Sequence, residues 1–289
     1  MTGSALRIDG HLHVWDLDVS AYDWLGSQHG LLNASWTPQQ AAVELQAAGM
    51  HGAVLVQAED SYADTAYLLD VATRYRWVRG VVGWVPLDDH RASAEALARW
   101  SEHSAFCGVR TLLNDDPRED FLELPAVRNS LADVAARGLP FDLHDAWPRH
   151  LGQAERLAGD LPGLTLVVDH LGKPPRASDA FEAWHLALAR VARHPHTVAK
   201  FSGLWSVSGP YSMDALRRVW EIALDLFGPD RLMYGGDWPI TELNGGYQPA
   251  WQVVDGLAAE LSEPERSSIL GGTAARIYHL PLNDWTWPC

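Results

Sequence analysis

Short runs dominated by Val, Leu, Ile and Ala recur along the chain at Leu6–His13, Ala53–Gln57, Val78–Val85, Gly108–Leu112, Leu139–Leu143, Leu164–Asp169, Val198–Ser202 and Arg231–Tyr234. They are continuous rather than alternating, which is the pattern of parallel strands buried on both faces. Longer segments of helical period separate them. Thr37 followed by Pro38 reads as a cap with proline in the first turn, opening a helix that Gly49 closes. Pro125–Arg137 stops at Gly138, Met213–Phe227 stops at Gly228-Pro229, and Ser178–Arg193 stops before His194-Pro195. Val253–Leu261 and Pro264–Leu270 read as a helical tail. Strand and helix alternating eight times predict an α/β fold, a distorted (β/α)8 barrel forming a single domain over residues 1–289. A doubly wound open sheet is the alternative. It wants a glycine-rich turn after the first strand, where His11-Leu12-His13 stands instead.

A barrel directs attention to the C-terminal ends of its strands. The polar residues there are His11 and His13, Gln57 and Glu59, Arg110 and Asn114, His144 and Asp145, Asp169 and His170, Lys200 and Ser202, and Asp237. Residues two apart on a strand share a face, so His11 and His13 aim two imidazoles at one point, a chelate for a borderline metal. Asp237 ends the eighth strand, next to the first once a barrel closes. It reads as a metal ligand or proton acceptor, against the plainer role of a helix cap. His170 reads as a group that polarises a carbonyl or binds metal, against a buried histidine paired with Asp169. His144 stands where a fifth-strand metal ligand would stand, against a polar loop residue. Arg110 is placed to hold a carbonyl or carboxylate oxygen, whereas Arg118 sits in an acidic loop. Trp15, Trp84, Trp147, Trp205 and Trp238 follow or end strands. Their faces suit a sugar ring, with Gln57, Asn114 and Ser202 able to address hydroxyls.

Composition narrows the partners. The net charge of −15 without a basic cluster argues against nucleic acid and anionic membranes. No segment has about 18 uninterrupted apolar residues, and the start lacks a long apolar stretch, so the expectation is a protein of the cytoplasm. Cys107 and Cys289 lie far apart, consistent with a reducing compartment. Trp285 and Trp287 in the tail suggest docking onto the barrel or onto a second copy, a homo-oligomer.

Taken together, these segments resemble the amidohydrolase superfamily, specifically its lactonase-rich branch. The motifs that carry the resemblance are Ile8-Asp9-Gly10-His11-Leu12-His13-Val14-Trp15, Val54-Leu55-Val56-Gln57, Val81-Val82-Gly83-Trp84-Val85, Cys107-Gly108-Val109-Arg110, Val168-Asp169-His170-Leu171-Gly172-Lys173-Pro174, Lys200-Phe201-Ser202-Gly203-Leu204, Tyr234-Gly235-Gly236-Asp237-Trp238-Pro239 and Gly272-Thr273-Ala274-Ala275-Arg276-Ile277-Tyr278. The resemblance implies hydrolysis of lactones, commonly those of sugar acids, with roles for His11, His13, His170 and Asp237. Branch members differ in whether they hold a divalent ion. Two-metal members often use a fourth-strand lysine, and only Lys173 and Lys200 occur here, so one ion or none is expected. Gly236 stands where the branch usually has serine, a departure expected to leave the chemistry unchanged. The resulting expectation is a sugar-lactone hydrolase. One zinc-type ion is held by His11, His13, Asp237 and His144, or the same residues act without metal. Asp237 and His170 are catalytic; Gln57, Trp84, Arg110 and Trp238 bind substrate. The competing readings are hydrolysis of a pyrone-dicarboxylate lactone, which wants two arginines at the mouth, metal-dependent decarboxylation, and a non-catalytic binding barrel.

Overall fold

The computed structural model describes residues 6–281 apart from 115, 177 and 205–210, so Trp205, Trp285, Trp287 and Cys289 lie outside the described residues. Eight parallel strands pair in chain order: β1 (Ile8–Leu12), β2 (Gly52–Val56), β3 (Val78–Gly83), β4 (Phe106–Thr111), β5 (Phe141–Leu143), β6 (Leu166–Val168), β7 (Thr197–Phe201) and β8 (Leu232–Tyr234). Helices α1 (Pro38–Ala47), α2 (Tyr62–Arg74), α3 (His90–Trp100), α4 (Pro125–Ala136), α5 (Leu151–Asp160), α6 (Phe181–Ala192), α7 (Met213–Phe227) and α8 (Tyr247–Ala258) follow the strands in turn, and α9 (Glu263–Ser267) and α10 (Thr273–Ile277) form a tail. This is the expected (β/α)8 barrel in a nearly closed form. Its two edge strands are joined just beyond their ends, where His13 N donates to Trp238 O at 2.8 Å and Asp237 N donates to His11 O at 2.7 Å. Among the described residues no helix is long and apolar enough to cross a membrane.

Most predicted elements fall within three residues of their places, and two differ. The helix predicted from Val253 starts at Tyr247, because Gly246 caps it from outside and Pro249 sits in its first turn, where a missing N–H costs nothing. The segment Pro264–Leu270 is not one helix. It passes into a π-turn over Ser268–Gly272, where a Cβ on Gly271 would lie 2.5 Å from Leu6 O. The chain's start crosses the tail at that point.

The apolar faces of the helices pack on the outside of the barrel through buried residues such as Leu45, Leu131, Trp184 and Trp220. Inside the barrel, Val54, Val82, Val167, Val198 and Met233 form a separate apolar layer, closed by Tyr278 and Leu280 from the tail. Above it lies a layer of charge. Lys200 Nζ stands 2.5 Å from Asp142 Oδ2 and 3.0 Å from Asp169 Oδ1, and Arg110 Nη1 stands 3.3 Å from Asp169 Oδ2. Tyr278 Oη donates up to the Asp142 carboxylate at 2.8 and 2.9 Å. Two cations thus face two carboxylates in a region with almost no solvent, where each charge depends on the others. Burial pushes the Asp142 carboxyl up to about 6 even with Lys200 beside it. For Asp169 burial acts in the same sense, but Lys200 and Arg110 outweigh it and hold the carboxyl below its usual range.

Replacing Lys200 by methionine leaves Asp142 and Asp169 buried without their shared cation. The expected loss is about 3–5 kcal/mol of unfolding free energy, read by urea titration. A loss under about 1 kcal/mol contradicts this account of the barrel interior.

Candidate active site

β1 ends irregularly, with a register shift between Asp9 and Leu12, and delivers both histidines to the barrel axis. His11 Nε2 and His13 Nε2 lie 3.1 Å apart. His13 Nδ1 is 2.8 Å from Val56 O and donates to it, so its Nε2 presents a lone pair. His11 Nδ1 faces Lys200 Nζ at 3.0 Å and Asp169 Oδ1 at 3.4 Å. His170 arrives from the end of β6 with φ +55°, a left-handed conformation that turns its ring inward. Its Nδ1 is held by Ser202 Oγ at 2.8 Å. A Cβ on Gly203 would lie 2.2 Å from His170 Nδ1, so the chain needs glycine there. Asp237 also has a positive φ, +54°. Its Oδ1 lies 3.5 Å from His13 Nε2, 3.8 Å from His11 Nε2 and 3.9 Å from His170 Nε2. The 3-10 turn that follows, Ile240–Asn244, has no side-chain cap. The Asp237 carboxylate faces the imidazoles instead.

The seam between β8 and β1 holds this arrangement in place. Asp9 Oδ1 accepts from His11 N at 2.9 Å and from Gly236 N at 2.8 Å, while Tyr247 Oη donates to Asp9 Oδ2 at 2.7 Å. One buried carboxylate therefore grips the strand that carries the histidines, the turn that carries Asp237, and α8. Burial raises the Asp9 carboxyl to about 6 against these three donors. Gly235 and Gly236 make the close approach feasible. A Cβ on Gly235 would lie 2.6 Å from His11 Cβ, and one on Gly236 would lie 2.3 Å from Tyr247 Cε2 and 2.4 Å from Asp9 Oδ2. The departure from serine at 236 is thus not neutral to this chain: the tyrosine ring fills the space a side chain would take.

The donor chemistry fits a divalent ion. Burial, with the Lys200 charge next in importance, keeps His11 well below the usual imidazole range. Burial likewise lowers His13, with Asp237 partly offsetting it, and His170, with His11 adding to it. Neutral imidazoles and a carboxylate are zinc-type ligands. His11, His13 and Asp237 bring ligand atoms within 4.8 Å of one another. A second group of that size joins His11, Asp169 and His170. Among the described residues His144 belongs to neither group, which differs from its expected place as a ligand. Its Nε2 faces Asp145 Oδ2 at 3.5 Å, on a different wall of the site.

A cavity of about 490 Å³ opens over this cluster, reached by His13, His170 and Asp237 from below. Arg110 lines it as expected, and His144 lines it rather than joining the metal-ligand groups of the described residues. Arg110 is braced by Asp169 and by the Gln57 carbonyl, at 2.7 Å from Nη2. The other expected substrate contacts lie elsewhere. Gln57 is fully buried, its side-chain amide donating to Asp60 Oδ1 at 3.1 Å. Trp84 packs edge-on to Tyr62 with its backbone N–H on Thr65 Oγ1, because the strand ends at Gly83 and the chain turns onto α2. Trp238 is 1% exposed and packs on Trp36 behind the wall. Trp24 gives the cavity an aromatic wall, with the fully buried Trp15 packed edge-on against it. Trp24, with Asp23 and His29, belongs to the long segment between β1 and α1, which has no hydrophobic period. A connection of that length without its own pattern is itself a sign of a functional loop.

The profile of the amidohydrolase family matches residues 8–280, and the chain belongs to that family. It is similar to the L-fucono-1,5-lactonase of Burkholderia ambifaria, at 35% identity over 283 residues covering 95% of this chain and 96% of that protein. It is 33% identical to the L-fucono-1,5-lactonase of Burkholderia multivorans, covering 96% of this chain and 97% of that protein. A crystal structure of an amidohydrolase from Burkholderia multivorans with bound zinc superposes with a TM-score of 0.86 at 32% identity, covering 96% of this chain and all of that one.

The seam yields a direct test. Gly236→Ser forces its new Cβ against Tyr247 and Asp9, and the variant should lose about 1–3 kcal/mol of stability in urea. Unchanged stability contradicts the proposed fit between Gly236 and the Tyr247 ring.

Proposed function

We propose that this protein hydrolyses the cyclic ester of a sugar acid, with L-fucono-1,5-lactone the first substrate to test. The observation that carries the reading is the convergence of three imidazole Nε2 atoms on Asp237 Oδ1 beneath a polar cavity, in a chain more than 30% identical to two L-fucono-1,5-lactonases. His11, His13 and Asp237 would hold one divalent ion of the zinc type. Such an ion supplies Lewis acidity to a carbonyl oxygen and makes water a stronger acid.

The residues divide the remaining work. Asp237 Oδ1 accepts a proton from water as the water oxygen bonds to the lactone carbonyl carbon. The carbonyl π electrons move onto oxygen. With Ser202 donating to Nδ1, His170 presents Nε2–H to that oxyanion, and Arg110 lends charge from the cavity wall. The bond from the carbonyl carbon to the ring oxygen then breaks. Its electron pair leaves on that oxygen, and Asp237 returns the proton there, giving a hydroxy acid. Burial keeps the imidazoles neutral, so none competes with Asp237 for charge. A dicarboxylated lactone is less well served. Arg110 is the one arginine lining the cavity among the described residues, and Arg118 pairs with Asp88 and Asp116.

Two measurements check the reading. Asp237→Asn should lower kcat for L-fucono-1,5-lactone by about 10²–10⁴-fold with an unchanged thermal midpoint; a variant keeping more than about a tenth of the activity refutes the assignment. Elemental analysis should find about one zinc-type ion per chain, lost on chelation and in His13→Ala, with activity following the metal. Full activity in metal-free protein would assign the polarisation of the carbonyl to the residues alone.

A further inference from the structure

A second polar cluster faces the same cavity from the strands opposite the seam. Asp145, just after β5, takes a left-handed backbone with φ +39°, and Lys173, after β6, takes one with φ +58°. Lys173 Nζ donates to Asp145 Oδ2 at 2.5 Å, and His144 Nε2 lies 3.5 Å from that oxygen. The His144 and Asp145 side chains are only 12% and 10% exposed. Each nevertheless carries a buried polar atom with no hydrogen-bond partner, Nδ1 on His144 and Oδ1 on Asp145. A buried polar atom without a partner calls for an explanation, and a ligand or water that completes it is one. All three residues line the cavity that contains Asp237 and His170.

We propose that His144, Asp145 and Lys173 form the subsite that reads adjacent ring hydroxyls of the substrate, selecting polyhydroxylated lactones over bare ones. This rests on the lactonase reading above. The chemistry of the three groups fits a hydroxyl pair and little else. A hydroxyl both donates and accepts. One can give its hydrogen to Asp145 Oδ1 while accepting from Lys173 Nζ, and its neighbour can pair with His144 Nδ1. Burial, reinforced by Arg110 and Lys173, keeps His144 neutral, so its imidazole adds no charge to the subsite. An anionic substituent would meet the Asp145 carboxylate. An unsubstituted ring would leave Oδ1 and Nδ1 buried and unpaired, which is how a site built for hydroxyls rejects an analogue lacking them. The cluster also explains why His144 stands apart from the metal-binding groups: it faces the substrate's rim.

The test compares L-fucono-1,5-lactone with δ-valerolactone, the bare six-membered ring, on the full chain and on Lys173→Met and Asp145→Ala. Each variant should lose about 100-fold or more in kcat/KM for the sugar lactone but less than about threefold for δ-valerolactone. Thermal midpoints identify any variant that fails to fold, and Lys173→Met alone is then decisive. Parallel losses on both lactones, or losses below threefold on both, overturn the proposal. Wild-type protein that hydrolyses the two rings equally well overturns it alone. Wild-type protein that hydrolyses neither overturns the lactonase reading, and this subsite with it.

Discussion

The Asp9 carboxylate is the constraint on which the site depends. It is buried, it accepts from the backbone of His11 and of Gly236, and it is anchored by Tyr247. Residues from the two ends of the chain thereby meet at fixed distance. Loss of the carboxylate would remove its grip on both the strand carrying the histidines and the turn carrying Asp237, and would leave their join to the backbone bonds alone. The backbone bonds from Asp237 N to His11 O and from His13 N to Trp238 O repeat the same join nearer the cavity. Catalytic geometry must be held to a fraction of an ångström, and a doubly bonded seam on rigid strands supplies that.

Beneath the seam, the charged layer of Arg110, Asp142, Asp169 and Lys200 does a second job. It places a positive group behind His11 and another beside the cavity, and it ties both to the tail through Tyr278. The tail therefore supports the candidate site, although it lies at the far end of the barrel. Burying four charges is costly for stability. The compensation is a neutral His11 imidazole whose orientation is fixed from below.

The sequence made much of this legible. Parallel strands buried on both faces appear as unbroken apolar runs, so all eight could be placed within two residues. The helices with cap and stop signals, such as the one opened by Thr37, were equally clear. The start of α8 was not, because Gly245-Gly246 and Pro249 read as loop until the structure shows them at a helix entrance. His11, His13, His170 and Asp237 were legible because strand ends in a barrel share one mouth. Trp84 and Trp238 were expected at that mouth too, but a residue beyond a strand's last pair follows the turn of the chain, not the strand's parity. Gln57 contributes its carbonyl where its side chain was expected. Trp24, Asp145 and Lys173 sit on irregular backbone, where no period announces which way a side chain points.

A crystal structure of the protein with the sugar acid product tests the central claim most directly. The account predicts the newly formed carboxyl group above His11, His13 and Asp237, with one oxygen within hydrogen-bond reach, roughly 2.6–3.2 Å, of Asp237 Oδ1. A product bound with its carboxyl group away from those three side chains would contradict it.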